Sequence, residues 1–220
     1  ILFNYSTVFP SARSYRTPMV GDAENQVLVV FVVFCYTVFN FLRCGGVSLM
    51  TDTEQSLLAL LRRALFGQDT PLPSDVDWQR VFEEAVSHSV HLLVYDCLTE
   101  QERAAIPKET AVPWRQEVLS AMWYNEQLLG EQQTVLKALS VFPCVILKGS
   151  SSAACYPRPE LRCAGDIDLL LFPADVKKAE AILCARGYCP PEDNHPFHRS
   201  MHREQFLVEL HFEPPGIPSG

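Results

Sequence analysis

Three short stretches carry residue types that could do chemistry together: Leu147-Lys148-Gly149-Ser150-Ser151-Ser152, Asp166-Ile167-Asp168 and Val208-Glu209-Leu210. In an extended strand alternate side chains share a face, so Asp166 and Asp168 point one way and Ile167 the other. Two carboxylates in that relation can share divalent cations. Magnesium takes hard oxygen ligands, usually one or two carboxylates plus substrate phosphates, so the pair suits a metal–nucleotide complex with Mg2+ or Mn2+. Gly149 has no Cβ and can turn the chain sharply with its amides facing a triphosphate. Ser150 offers a hydroxyl, and a helix starting there adds its dipole. This is not a Walker loop, because Gly-x-x-x-x-Gly-Lys is absent. Glu209 alternates between Val208 and Leu210 and could bring a third carboxylate to the metal face, as ligand or as base for an attacking hydroxyl.

Other polar residues near these stretches leave two readings open. Lys148 is a phosphate contact or a surface cation at a strand end. Arg162 is a phosphate contact or a partner for Glu160, with the structural pairing preferred. His211 shares the face of Glu209, and either could approach a metal. His195, His198, His202 and His211 invite a zinc reading, but no cysteine or carboxylate stands at tight spacing and Pro196 and Arg199 are interleaved. A loop of solvated or hydrogen-bonded histidines is the expectation.

These residues need a sheet to hold them and helices to cover it. Cys144 to Leu147 reads as a short apolar strand, Ala164 to Phe172 as a second with acids alternating in it, and Gln205 to Phe212 as a last. Between them Ser151 to Tyr156 makes one or two helical turns, and a helix opened by Pro173-Ala174-Asp175 ends at Gly187. The expected order is β-α-β-α-β. Upstream, Thr53 caps a helix with a leucine stripe closed by Gly67, Asp77 caps a second, and His91 to Leu98 forms a third. A long apolar pattern then starts with Pro113 at an N1-like position and runs to Leu139, with a break at Gly130 as one option. The fold class is α+β: residues 50–140 a helical domain, residues 141–220 a small mixed-sheet α/β core.

The 220 residues carry a net charge of −8, so no broad basic surface is available to hold nucleic acid by charge alone. The composition shifts near Met50. The first 49 residues hold nine of the 23 aromatics and no Lys, while 15 of the 18 basic residues follow. The run from Val27 to Leu42 spans 16 residues, short of the roughly 20 that cross a bilayer as a helix. It reads as an N-terminal membrane anchor, as a buried strand or helix, or as upstream sequence foreign to the natural product. The last is preferred, because the chain opens on Ile1 and Met50-Thr51-Asp52-Thr53-Glu54 looks like a start running into a helix cap. Any membrane association would run through residues 27–42 alone, and the anchor is the minority reading. Eight scattered cysteines without a CxxC pair read as buried thiols of a cytoplasmic protein.

The stretch LKGSSSAACYPRPELRCAGDIDLLL from Leu147 to Leu171, with VELHF from Val208 to Phe212, resembles the bacterial nucleotidyltransferase-family proteins of the polymerase-β-like superfamily. The similarity is to the group reading Leu-Lys-Gly, Tyr-Pro, Arg, Gly-Asp-Ile-Asp-Leu and Glu-Leu-His, and it extends upstream through DWQRVFEEAVSHSVHLLVYDCL, covering Met50 to Phe212. The resemblance implies transfer of a nucleoside monophosphate from an NTP to an acceptor hydroxyl of unknown identity. It matches Gly149 and Ser150 to the phosphate turn, Asp166 and Asp168 to the metal-binding pair and Glu209 to the third carboxylate. Lys148 and Arg162 join the expected nucleotide contacts. The spacing from Ser150 to Asp166 is longer than the commonest superfamily pattern, and a core ending soon after Phe212 reads as C-terminally truncated. A non-catalytic nucleotide-binding or interaction module with the same fold is the competing reading.

Overall fold

The computed structural model describes residues 50–190 and 195–213. The chain divides into two units, Ile1–Val47 and Ser48–Gly220. The first, with the apolar run 27–42 and its three readings, lies outside the described residues, all of which belong to the second.

Helix α1 spans Asp52–Phe66. Its cap is Thr51, two residues earlier than expected, because a capping box needs its acid three positions on and Glu54 stands there. The Thr51 hydroxyl accepts from the Glu54 amide, and the Glu54 carboxylate accepts from the Thr51 amide at 2.8 Å. Asp77 caps α2 (Trp78–Ser87) as the sequence suggests, and α3 follows at His91–Cys97. The short α4 (Glu100–Ala105) has its own Thr99–Glu102 capping box but buries no residue, so no apolar period announced it. Trp114 is fully buried among these helices, stacked on Phe82 at 5.2 Å between ring centroids and tilted against Tyr95.

The long helix α5 runs unbroken over Lys108–Ala138. It starts five residues before Pro113, which therefore lies inside it. Buried Thr110, whose hydroxyl meets the Gln79 side chain at 2.7 Å, and buried Trp114 hold the turns around the proline. Gly130 does not interrupt the helix either, because Leu128, Glu131, Gln132 and Val135 bury one face across it.

A four-stranded sheet follows, made of β1 (Cys144–Ile146), β2 (Ile167–Leu171), β3 (His198–Arg203) and β4 (Phe206–His211) in the order β1-β2-β4-β3. The two middle strands, β2 and β4, are parallel, and both outer pairs are antiparallel. The architecture is α+β with a small mixed sheet, as expected, but with one more strand. The histidine-rich stretch expected as a loop is β3, the partner of β4 in a hairpin. Met201 is its one buried apolar side chain, too few for a period-2 pattern to show. The connecting Glu204 adopts a left-handed φ of 54°. A one-turn helix α6 (Ser150–Ala153) lies between β1 and β2, and α7 (Pro173–Cys184) follows β2. The end of α7 is closed at Gly187, with φ 89°, by amides of Gly187 and Tyr188 donating back to Cys184 and Leu183.

Alternation divides the sheet into two chemically different faces. Ile167, Leu169, Leu171, Val208, Leu210 and Met201 form one core cluster with Leu128 and Val135 of α5, Leu139 at its C-terminal cap, and Val176, Ala179 and Leu183 of α7. Asp168, Glu209, His211 and His198 are out of phase with that set and share the opposite face. Among the described residues no helix is long and apolar enough to cross a membrane. The six described cysteines are free, but Cys184 and Cys189 are exposed and the other four half-buried, so none is the fully buried thiol expected. Burial still pushes the Cys97 thiol up to about 12 and the Cys163 thiol up to about 11.

Candidate active site

The parallel register of β2 and β4 sets Asp168 directly beside Glu209. Asp166 lies just before β2, outside the ladder, yet a carboxylate oxygen from each of Asp166, Asp168 and Glu209 falls within 4.8 Å of the others. Helix α5 holds the chain that leads into this corner. Asn125 donates to the Arg162 carbonyl at 2.9 Å and accepts from the Ala164 amide at 3.1 Å, while the Tyr124 hydroxyl donates to the Gly165 carbonyl. Half-burial and the neighbouring Asp168 charge push the Asp166 carboxyl above the usual carboxylate range, opposed by Lys148, Arg162 and His211.

Asp168 is the most enclosed member, with a side chain wholly shielded from solvent. Its Oδ1 accepts from Lys148 Nζ at 3.2 Å and contacts His211 Nε2 at 2.9 Å. Its Oδ2 is buried with no hydrogen-bond partner among the described residues. A dry, unpaired carboxylate oxygen is costly unless something positive meets it. Three carboxylates offering hard oxygens, one of them orphaned, fit Mg2+ or Mn2+. Glu209 is turned toward the histidines as well, meeting His211 Nε2 at 3.1 Å and His198 Nε2 at 3.6 Å.

The turn after β1 reaches the same corner. Gly149 has φ 57° and ψ −119°, a conformation open essentially to glycine, and its Cα faces the Asp166 carbonyl. The Ser150 hydroxyl is held by the Gln132 side chain of α5, with contacts of 2.8 Å to Nε2 and 3.1 Å to Oε1. Gln132 is itself buried. Lys148, half exposed, spans from the turn to Asp168. Arg162 does not pair with Glu160, which meets Arg158 instead at 3.0 Å. The Arg162 guanidinium donates to the Cys163 carbonyl, and its charge is felt by both Asp166 and the Tyr156 phenol.

The structure therefore brings Lys148, Gly149, Ser150, Asp166, Asp168 and Glu209 to one corner, with Arg162 on the segment leading into it. Sequence reasoning missed Gln132, whose signal is a polar residue on the buried stripe between Leu128 and Val135. It also left His198 in a loop. A cavity of about 230 Å³ elsewhere, lined by Arg63, Leu93, Asp96, Cys97, Arg158 and Leu161, shares no residue with this corner. Its two arginines are already engaged by Glu102 and Asp96, which disfavours it as a phosphate site.

Residues 74–215, more than half of the chain, match a family described as uncharacterised nucleotidyltransferase. No curated protein and no solved structure matches the chain.

Proposed function

The chain belongs to this nucleotidyltransferase family, and we propose that it transfers a nucleoside monophosphate from an NTP to an acceptor hydroxyl by in-line displacement. The observation that carries the reading is the convergence of Asp166, Asp168 and Glu209 on one sheet face beside the glycine turn at Gly149. In the displacement the acceptor oxygen bonds to the α-phosphorus, the bond from that phosphorus to the bridging oxygen breaks, and pyrophosphate leaves. The acceptor's proton passes to a carboxylate of the site.

Each residue has a part that its position supports. Asp166, Asp168 and Glu209 would hold Mg2+ or Mn2+, and a pair of such ions would neutralise charge on the triphosphate and on the departing pyrophosphate. The turn at Gly149 and Ser150 would present amide and hydroxyl donors to phosphate oxygens. Lys148 and Arg162 add positive charge without needing a fixed bidentate geometry. Catalysis on this reading is mostly positioning and charge neutralisation.

The test is pyrophosphate release with each of the four common NTPs, with small alcohols, sugars, nucleic acid and hydroxylated protein side chains as acceptors. The expected result is release that requires a divalent cation and is lost in Asp168→Asn. Tight Mg·NTP binding with no release from any combination would overturn the catalytic reading in favour of a nucleotide-binding module.

A further inference from the structure

The face that carries the acids also carries two imidazoles, and we propose that His198, Glu209 and His211 form a second cation site, selective for a borderline divalent metal such as Zn2+ or Co2+. His198 and His211 are directly opposed across the antiparallel β3–β4 pair, and Glu209 is two residues from His211 on the same face. Their ligand atoms lie within 4.8 Å of one another. All three side chains are largely sheltered, at 16, 17 and 4% exposure for His198, Glu209 and His211. His195 stacks on His198 with ring centroids 3.8 Å apart, which limits how that imidazole can turn.

The separations bear on whether one ion could be shared. The His198 Nε2 to Glu209 distance of 3.6 Å is too long for a hydrogen bond, and the His211 Nε2 to Glu209 distance is 3.1 Å. Two ligands each about 2.0–2.1 Å from a common ion are about 2.8–3.0 Å apart in octahedral and about 3.3–3.4 Å apart in tetrahedral geometry. Each imidazole is thus near that spacing from one oxygen of Glu209, His198 from Oε1 and His211 from Oε2, and the three ligand atoms, within 4.8 Å of one another, would draw together around a single ion. Two imidazoles and a carboxylate leave further positions open, the ligand set of catalytic zinc and of non-haem iron sites, whereas Mg2+ prefers oxygen alone.

With a metal at Nε2, the atom that meets Asp168 and Glu209, the N–H of the ligating imidazole would sit on Nδ1. That nitrogen is buried without a partner among the described residues. Ligating histidines usually donate their other N–H to an acceptor, so affinity should fall below that of structural zinc sites. Glu209 belongs to both cation sets. The proposal uses the location of the nucleotide-site reading but does not require turnover.

Titration of the full chain with Co2+ in a large excess of Mg2+, read by visible ligand-field absorption, tests it. The expected result is a band that saturates at one equivalent, is displaced by Zn2+, survives Asp166→Asn and His202→Ala, and shifts to on the order of 100-fold weaker Co2+ affinity in His198→Ala. His198→Gln, which keeps a polar strand residue, should behave as His198→Ala. Absence of the band, or a band indifferent to both His198 variants, would overturn the proposal. So would a band lost in Asp166→Asn, which would place cobalt on the carboxylates. Calorimetric Mg·ATP binding on the same preparations reports on the acidic site alone, so failure of either reading is seen separately.

Discussion

Gln132→Leu replaces a buried amide by an apolar side chain of similar volume and removes what holds the Ser150 hydroxyl. Its cost to folding is that of one net hydrogen bond, about 1 kcal/mol, because half-exposed Ser150 can turn to water. Its cost to nucleotide binding stems from Ser150 as a phosphate donor. A hydroxyl released from one rotamer into three loses about RT ln 3, near 0.65 kcal/mol, which is a roughly threefold weaker Kd. Ser150→Ala removes the donor itself. A hydrogen bond to a charged group is worth about 1.5–3 kcal/mol, so Kd should weaken about 10- to 150-fold. The two changes act on one contact and should not add: Gln132→Leu in the Ser150→Ala background should leave Kd where Ser150→Ala put it. Calorimetric Mg·ATP titration of wild type, both single variants and the double variant measures the cycle. Full additivity, or no weakening in Gln132→Leu alone, would refute the positioning of the phosphate turn by α5.

Two further predictions concern stability. Asp166 has a raised pKa in the folded protein, so between the ordinary carboxylate range and that raised value the native state binds more protons than the unfolded chain, and stability falls as pH rises through that window. Asp166→Asn removes the penalty: its Tm should exceed wild type at pH 7, and the difference should vanish below about pH 3.5, where the unfolded acid is also protonated. Glu131 of α5 accepts from the Tyr188 hydroxyl and the Arg203 guanidinium, tying the helix to β3 and to the end of α7. Removing one partner of a buried pair costs about 3–5 kcal/mol. Arg203, at 28% exposure, can partly rehydrate, so urea unfolding of Glu131→Ala should show a loss of about 2–3 kcal/mol.

The parts of the fold legible in the sequence are those where one local rule dominates. Asp77, Gly67 and Gly187 mark helix ends because capping geometry is local, and Cys144 and Ile167 stand in apolar runs that only a strand or a buried helix could use. The grouping of Asp166, Asp168 and Glu209 was legible for the same reason: these acids interrupt runs of apolar strand residues. What was not legible depends on tertiary partners. Helix α5 runs through Pro113 and Gly130 because Thr110, Trp114 and Val135 are buried on either side, which no propensity reports. Strand β3 has one core residue, Met201, and exists because β4 offers it a hydrogen-bonded edge. Gln132 meets Ser150 18 positions further along the chain, a contact that only the packed helix reveals.

On the proposed function, Asp166 and Asp168 hold the divalent cation through which the protein binds an NTP. Calorimetric titration of Mg·ATP into the wild-type chain, Asp166→Asn and Asp168→Asn tests it most directly, with urea unfolding run beside it to show that each variant is folded. The expected result is saturable binding to wild type that requires Mg2+ and is abolished in both variants. Mg·ATP binding of unchanged affinity in the folded variants would contradict it.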